Sequence, residues 1–257
     1  MQGVRPKSLG PSLDQLDTEQ VNPRTVGLDR LPTLAMIRRL QREDATVAPA
    51  VARTVVAIAR AVEAMSERFK RGGRIIYIGA GTSGRLGVLD ASECPPTFGI
   101  APGRIVGVIA GGKPALTRSS EGVEDSPTAG RHDLAQLRLK PDDCVVGIAA
   151  SGRTPYTVAA LIWARRQGCL TVAIASSRNS PLARAAEVAI EPLTGAESIA
   201  GSTRMKAGTA QKMVLNLLST GVMVRVGRTR GNLMAHVQST NVKLRRRAAR
   251  IRQAGEL

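Results

Sequence analysis

The chain has 257 residues and a mass of 27.1 kDa, 43% hydrophobic with 26 glycines, which suits one large domain or two small ones with a full apolar core and excludes a disordered or fibrous chain. Aromatic residues are only 2% of the chain, so the core must be built from Ala, Val, Leu and Ile, and the three cysteines (Cys94, Cys144, Cys169) and two histidines (His132, His236) fall at spacings that give neither a disulfide framework nor a metal site. The net charge of +17 points toward nucleic acid, but residues 198–255 hold 12 basic residues and no acid, arginine dominates the basic set as a compositional bias, and a base-stacking platform is missing, so a nucleic-acid role is not expected.

Residues 1–32 are polar and broken by Pro6, Pro11, Pro23 and Pro32, which reads as an arm leading into the domain. No apolar leader occupies residues 1–17, and no run approaches ~18 apolar residues, so neither secretion nor a membrane span is expected. A short amphipathic helix is predicted over 34–40. Val47, Val51, Val55, Ile58, Val62 and Met65 then predict one long helix over 46–69, closed by Gly72-Gly73. Beyond it the pattern changes to short apolar runs without alternation, at 75–78, 105–110, 144–149, 170–175 and 188–190, each read as a buried strand. Helices are predicted between them at 83–90, 126–137, 155–167 and 181–186, and two more at 204–226 and 233–251. Buried strands separated by helices make an α/β domain with a central parallel sheet of about five strands and a helical N-terminal extension.

Two loops carry phosphate-binding character. Gly79-Ala-Gly-Thr-Ser-Gly84 follows the first strand and opens a helix, offering backbone N–H groups and the hydroxyls of Thr82 and Ser83. It matches the dinucleotide fingerprint literally, but the next strand ends in Gly111-Gly112 and supplies no acid for a ribose. Ser151-Gly-Arg153-Thr154-Pro155 again follows a strand and opens a helix, with Pro155 suited to its first turn. Loops after two strands of one parallel sheet converge at its carboxyl edge, where open α/β sheets bind ligands. Without the Gly-Lys-Ser/Thr of a P-loop, a compact monophosphate is the expected ligand rather than a nucleoside triphosphate.

Acids near these loops are few. Glu93, in Asp90-Ala-Ser-Glu-Cys-Pro-Pro96, precedes two prolines that stiffen its backbone, and Glu121-Gly-Val-Glu-Asp125 follows the second strand. Glu93 and Glu124 form the candidate general acid and base. Glu121 and Asp125 are equal rivals, and a helix N-cap is the structural alternative at Asp125. Glu197, Ser202, Thr203, Arg204 and Lys206 crowd polar groups at the start of an apolar helix; capping accounts for one of them, not five. Cys94 has no histidine near it in sequence and reads as a small buried residue.

Taken together, the stretch 78–99, residues 121–126, Ser151-Gly-Arg-Thr154, the segment 201–212, Asn232-Leu-Met234 and Thr240-Asn241 resemble, in order, the N-acetylmuramic acid 6-phosphate etherases. The resemblance runs from about residue 18 to residue 250. It implies a three-layer sugar isomerase (SIS) fold over 33–257, with leading helices at 33–72, a sheet core at 73–200 and C-terminal helices after 201. It also implies a cytoplasmic homodimer acting on a sugar phosphate, with no metal or cofactor. By the same resemblance Glu93 matches the acid that protonates departing lactate and Glu124 the base at C2. Ser83, Ser151 and Thr154 match hydroxyls that hold the phosphate, and Glu197, Ser202, Thr203, Arg204 and Lys206 are expected to contact substrate. Three departures stand out: the family commonly continues beyond the point where this chain stops, Gly195-Ala-Glu197 replaces Gly-Pro-Glu, and Ala235-His236 replaces an acidic or apolar pair, with His236 read as a surface residue. The rival readings are a non-catalytic phosphosugar sensor, which needs no acid–base pair, and an aldose–ketose phosphate isomerase, which needs no leaving-group acid.

Overall fold

The computed structural model describes residues 16–118 and 122–235. Short 3-10 turns at Asp17–Glu19 and Leu28–Arg30 precede three helices, α1 (Thr33–Asp44), α2 (Val47–Ala52) and α3 (Val55–Lys70). The sheet region follows as β1 (Ile75–Gly79), α4 (Gly81–Phe98), β2 (Ile105–Ile109), α5 (Pro127–Gln136), β3 (Cys144–Ile148), α6 (Pro155–Arg166), β4 (Leu170–Ile174), α7 (Pro181–Ala185) and β5 (Val188–Ile190). The long helix α8 (Lys206–Arg225) and a small hairpin of β6 (Thr229–Arg230) and β7 (Leu233–Met234) come last.

Strands β1 to β5 form one parallel sheet in the order β2-β1-β3-β4-β5. Every residue of β1, β3 and β4 is buried, which is why these strands read as unbroken apolar runs. Alternate residues feed two apolar layers. Ile75, Tyr77, Val146 and Val172 pack on the side of α2, α3, α4 and α8 with Met65, Phe69, Val214 and Leu218. Ile76, Ile78, Val145 and Ala173 pack on the opposite side against Leu134, Tyr156 and Leu161 of α5 and α6, and Leu182 of α7. The result is the expected three-layer α/β arrangement.

Three elements differ from expectation. The helix predicted over 46–69 is two helices, because the backbone N–H of Thr54 folds back to the carbonyl of Val51 and its hydroxyl donates to the same oxygen; the α1–α2 segment meets α3 at 56°. Helix α4 does not stop near residue 90 but runs through Pro95 and Pro96, so Glu93 lies within it, and Gly99 ends it in the left-handed conformation. Residues 233–234 pair as β7 instead of opening a helix, since the Gly231-Asn232 turn returns the chain onto β6; the rest of that predicted helix, with His236, Thr240 and Asn241, lies outside the described residues. Among the described residues no single helix is long and apolar enough to cross a membrane. The segment 16–32 lies on the body of the domain, with Leu16, Thr18, Asn22 and Thr25 buried.

Candidate active site

A cavity of about 510 Å³ opens at the carboxyl ends of β1 and β3. These neighbours lead to opposite sides of the sheet order, β1 being followed by β2 and β3 by β4, so the cavity sits at the topological switch point. Its floor is made by the N-termini of α4 and α6. Ala80 caps α4 and Thr154 caps α6, neither through a side-chain hydrogen bond, so both helices present uncapped amides and positive dipole ends to the cavity. The Thr154 hydroxyl is therefore not spent on its own helix. Ser151 Oγ accepts from the Arg153 amide at 3.2 Å, a local turn that leaves the Ser151 proton for a ligand. Gly152 is held at φ +64 with its α-carbon against the Ser180 side chain, where any Cβ would overlap Ser180 Oγ, so only glycine lets this loop close.

Of the residues singled out from sequence, Thr82, Ser83, Glu124, Ser151, Arg153, Thr154 and Thr203 line this cavity. Glu124 lies in the short 3-10 turn Val123–Asp125 on the rim with Asp125 beside it. Asp125 is not a helix cap, because Ser126 Oγ accepts from the Ala129 amide and takes that role. Glu121 lies outside the described residues.

Glu93, Glu197, Ser202, Arg204 and Lys206 do not line the cavity. Glu93 is exposed on α4. Glu197 is buried and accepts from the backbone N–H of Lys206 at 2.8 Å and Ala207 at 2.9 Å, so it caps α8 from outside the helix. Burial raises its carboxyl above the ordinary value, against the pull of those two amides. Lys206 is fully buried, and its Nζ donates to Glu43 Oε2 at 2.9 Å. Glu43 also accepts from Asn22 Nδ2 at 2.8 Å and from Arg24 Nε at 2.5 Å. This buried group clamps the N-terminal segment, α1 and the start of α8 together.

Sequence reasoning missed Glu19. It lines the cavity from the N-terminal segment, positioned by a hydrogen bond from the Gly201 amide to the Thr18 carbonyl at 3.0 Å. Gly201 stands at φ +73, and a Cβ there would lie 3.1 Å from Glu19 Oε2. Reading residues 1–32 as an arm hid this residue. Cys94, by contrast, is buried in the α4–α8 contact and its thiol is pushed up to about 12 by burial, which disqualifies it as a nucleophile. Among the described residues no group of three His, Cys, Asp or Glu is placed to hold a metal ion.

A model of the SIS domain matches residues 112–221, and a model of the glucokinase regulatory protein N-terminal SIS domain matches residues 57–165. N-acetylmuramic acid 6-phosphate etherases from Salmonella typhimurium and Salmonella schwarzengrund are each 55% identical to this chain over 240 residues, which span 93% of it and 81% of the relative. The chain belongs to the N-acetylmuramic acid 6-phosphate etherase family. Solved structures add the fold at lower identity. A phosphoheptose isomerase from Francisella tularensis superposes with a TM-score of 0.57 at 17% identity, covering 76% of this chain and 100% of that one. The sugar isomerase domain of an RpiR transcription factor from Sphaerobacter thermophilus gives 0.51 at 21% identity, covering 85% and 97%.

Proposed function

We propose that this etherase-family chain is a carbon–oxygen lyase that cleaves the D-lactyl ether of N-acetylmuramic acid 6-phosphate, yielding N-acetylglucosamine 6-phosphate and D-lactate in the recycling of cell-wall amino sugars. The observation that carries this reading is 55% identity to etherases along 93% of the chain. The cavity supports it, because two uncapped helix N-termini meet where a sugar phosphate's anion would rest.

The chemistry follows from anchoring the phosphate away from the reacting carbons. Thr82, Ser83, Ser151, Arg153 and Thr154 hold the anion, and that binding energy orients the opened sugar. Ring opening exposes an aldehyde at C1, which acidifies the C2 proton. Glu124 removes this proton, the general acid protonates the ether oxygen, and the C3–O bond breaks to release lactate and leave an unsaturated aldehyde. Water then adds at C3, with the former acid accepting its proton. Each assisted proton transfer contributes about 10²–10⁴-fold.

Glu93, which the family resemblance makes the acid, lies about 18 Å along α4 from Gly81 and outside the cavity of its own chain. We assign it to the cavity of a second copy, so that the working unit is a homodimer and Glu93 of the partner subunit protonates the leaving lactate. The free, buried thiols of Cys94, Cys144 and Cys169 fit a reducing, cytoplasmic setting.

The test is D-lactate release from N-acetylmuramic acid 6-phosphate by wild type beside Glu93→Gln and Glu124→Gln. Wild type is expected to release lactate; Glu93→Gln only to exchange the C2 proton with solvent; Glu124→Gln to do neither. Exchange surviving in Glu124→Gln instead would reverse the two roles. Lactate release by Glu93→Gln would move the acid to Glu19 or Asp125, the remaining carboxylates of the cavity among the described residues. A wild type that binds phosphosugar without releasing lactate would be a sensor.

A further inference from the structure

Beneath the phosphate-binding floor, α8 meets the first turn of α4. Gly208 and Gln211 stand three residues apart on one face of α8. A Cβ at Gly208 would lie 3.4 Å from the Thr82 methyl, and Gln211 Oε1 accepts from Ser83 Oγ at 3.0 Å. Ser83 lines the cavity, whereas Gln211 is only 1% exposed and is no part of the lining. In this arrangement the single Ser83 proton points down into the protein, so Ser83 has only lone pairs to show an incoming phosphate. The Gln211 Nε2 group, equally buried, has no hydrogen-bond partner among the described residues.

One rotation puts Nε2 to use and frees the Ser83 proton, leaving the carboxamide oxygen in the place that Nε2 held. Turning the carboxamide through 180° exchanges donor and acceptor without changing its shape. Nε2 then donates to Ser83 Oγ, and the Ser83 proton is free to turn upward. We propose that Gln211 is a positioning residue for the phosphate site: its amide, seated under Ser83 and turned to donate when the anion binds, fixes the Ser83 hydroxyl as a donor to the substrate phosphate. Gln211 never touches substrate. Its side chain acts through Ser83, and α8 thereby takes part in recognising a ligand that lies on the far side of α4's first turn.

The inference rests on the phosphosugar reading of this cavity and predicts a split in the kinetics. Gln211→Glu keeps the shape and, in its ionised form, can only accept, which locks the Ser83 proton away from the phosphate and adds like charge beneath it. Its affinity for N-acetylglucosamine 6-phosphate, measured by calorimetry, should fall about tenfold or more, and KM for lactate release should rise by a similar factor while kcat stays within about twofold. Gln211→Met, which removes both polar atoms, should weaken binding about fivefold. In a Ser83→Ala background the same Gln211→Met change should cost less than about twofold, because the group it acts through is gone. Thermal midpoints near wild type in the Gln211→Glu variant show that the fold is intact; should Gln211→Met fail to fold, Gln211→Glu with and without Ser83→Ala carries the same comparison. Equal losses in the wild-type and Ser83→Ala backgrounds, or unchanged binding in both variants, would overturn the proposal. Wild type that binds the phosphosugar but releases no lactate would overturn the lyase reading and leave this one standing, whereas wild type that fails to bind it would overturn both.

Discussion

Glu43 gathers four donors on one buried carboxylate: Asn22 Nδ2, two nitrogens of Arg24 and Lys206 Nζ. The Arg24 hydrogen bond is the largest influence on it, and with Lys206 and Asn22 it outweighs burial and lowers the carboxyl to about 2. A carboxyl depressed in the folded state stabilises the fold fully above its unfolded value near 4.5 and loses that contribution as pH falls toward 2. Glu43→Gln should therefore unfold more easily at pH 7, by about 2 kcal/mol once solvent screening of the exposed Arg24 is allowed for. The gap from wild type should close between pH 4.5 and 2, as followed by thermal melts across that range. A gap that stays constant all the way down to pH 2 would show that the charge on Glu43 is irrelevant to the clamp. Lys206 was legible in sequence as a notable charge beside a hydroxyl-rich loop. Its partner was not, since Glu43 lies 163 positions away. Residue type alone cannot separate a substrate ligand from a buried structural ammonium.

Among the elements, the strands were the most legible. Burial on both faces demands apolar residues at every position, and that demand is written into each five-residue run. Helix ends were harder. Ser202 and Thr203 looked like caps for α8, yet Met205 occupies the N-cap position with no side-chain bond, and Glu197 supplies the acceptors from nine and ten residues upstream. Such a cap cannot be found by local spacing, because it depends on the 191–205 loop doubling back on itself. Replacing it tests the point: Glu197→Ala should cost about 2 kcal/mol by denaturant unfolding, since two buried amides lose their partner and the helix dipole its anion. Glu197→Gln, which keeps one acceptor, should cost about half as much. Equal stability of Glu197→Ala and wild type would mean that water replaces the carboxylate without penalty. Helix α4 gave a different error. The sequence predicts it over 83–90 only, but the helix continues through Pro95 and Pro96 to Gly99.

At the scale of the molecule, one chain brings Glu124 to the cavity and leaves Glu93 outside it. If a second copy supplies the acid, the two defects are complementary. Mixing Glu93→Gln and Glu124→Gln proteins, unfolding and refolding them together, should restore up to roughly a quarter of wild-type lactate release, because half the dimers are mixed and one site in each is intact. No recovery from mixtures that do form heterodimers, as read by native mass spectrometry with one variant tagged, would place both carboxylates on the same chain. Among the described residues, no basic side chain of the C-terminal stretch lines this cavity.

Local rules reach as far as local causes. Composition, apolar periodicity and the two glycine- and hydroxyl-rich loops determined the α/β class, the five apolar strands, of which β1, β3 and β4 are buried throughout, and the anion-binding character of the sheet's carboxyl edge, because burial patterns and helix N-termini are properties of contiguous chain. The family resemblance added the expectation of which phosphosugar is bound and which pair of acids acts on it. Only the tertiary structure decided which polar residues face the cavity and which are spent holding it together. It placed Glu19 on the lining from a segment that reads as an arm, turned Glu197 and Lys206 inward to the cap and clamp of α8, and seated Gln211 beneath Ser83. Each of these depends on a partner distant in sequence, and a buried polar group is satisfied by whatever the fold brings within hydrogen-bonding distance, not by its neighbours along the chain.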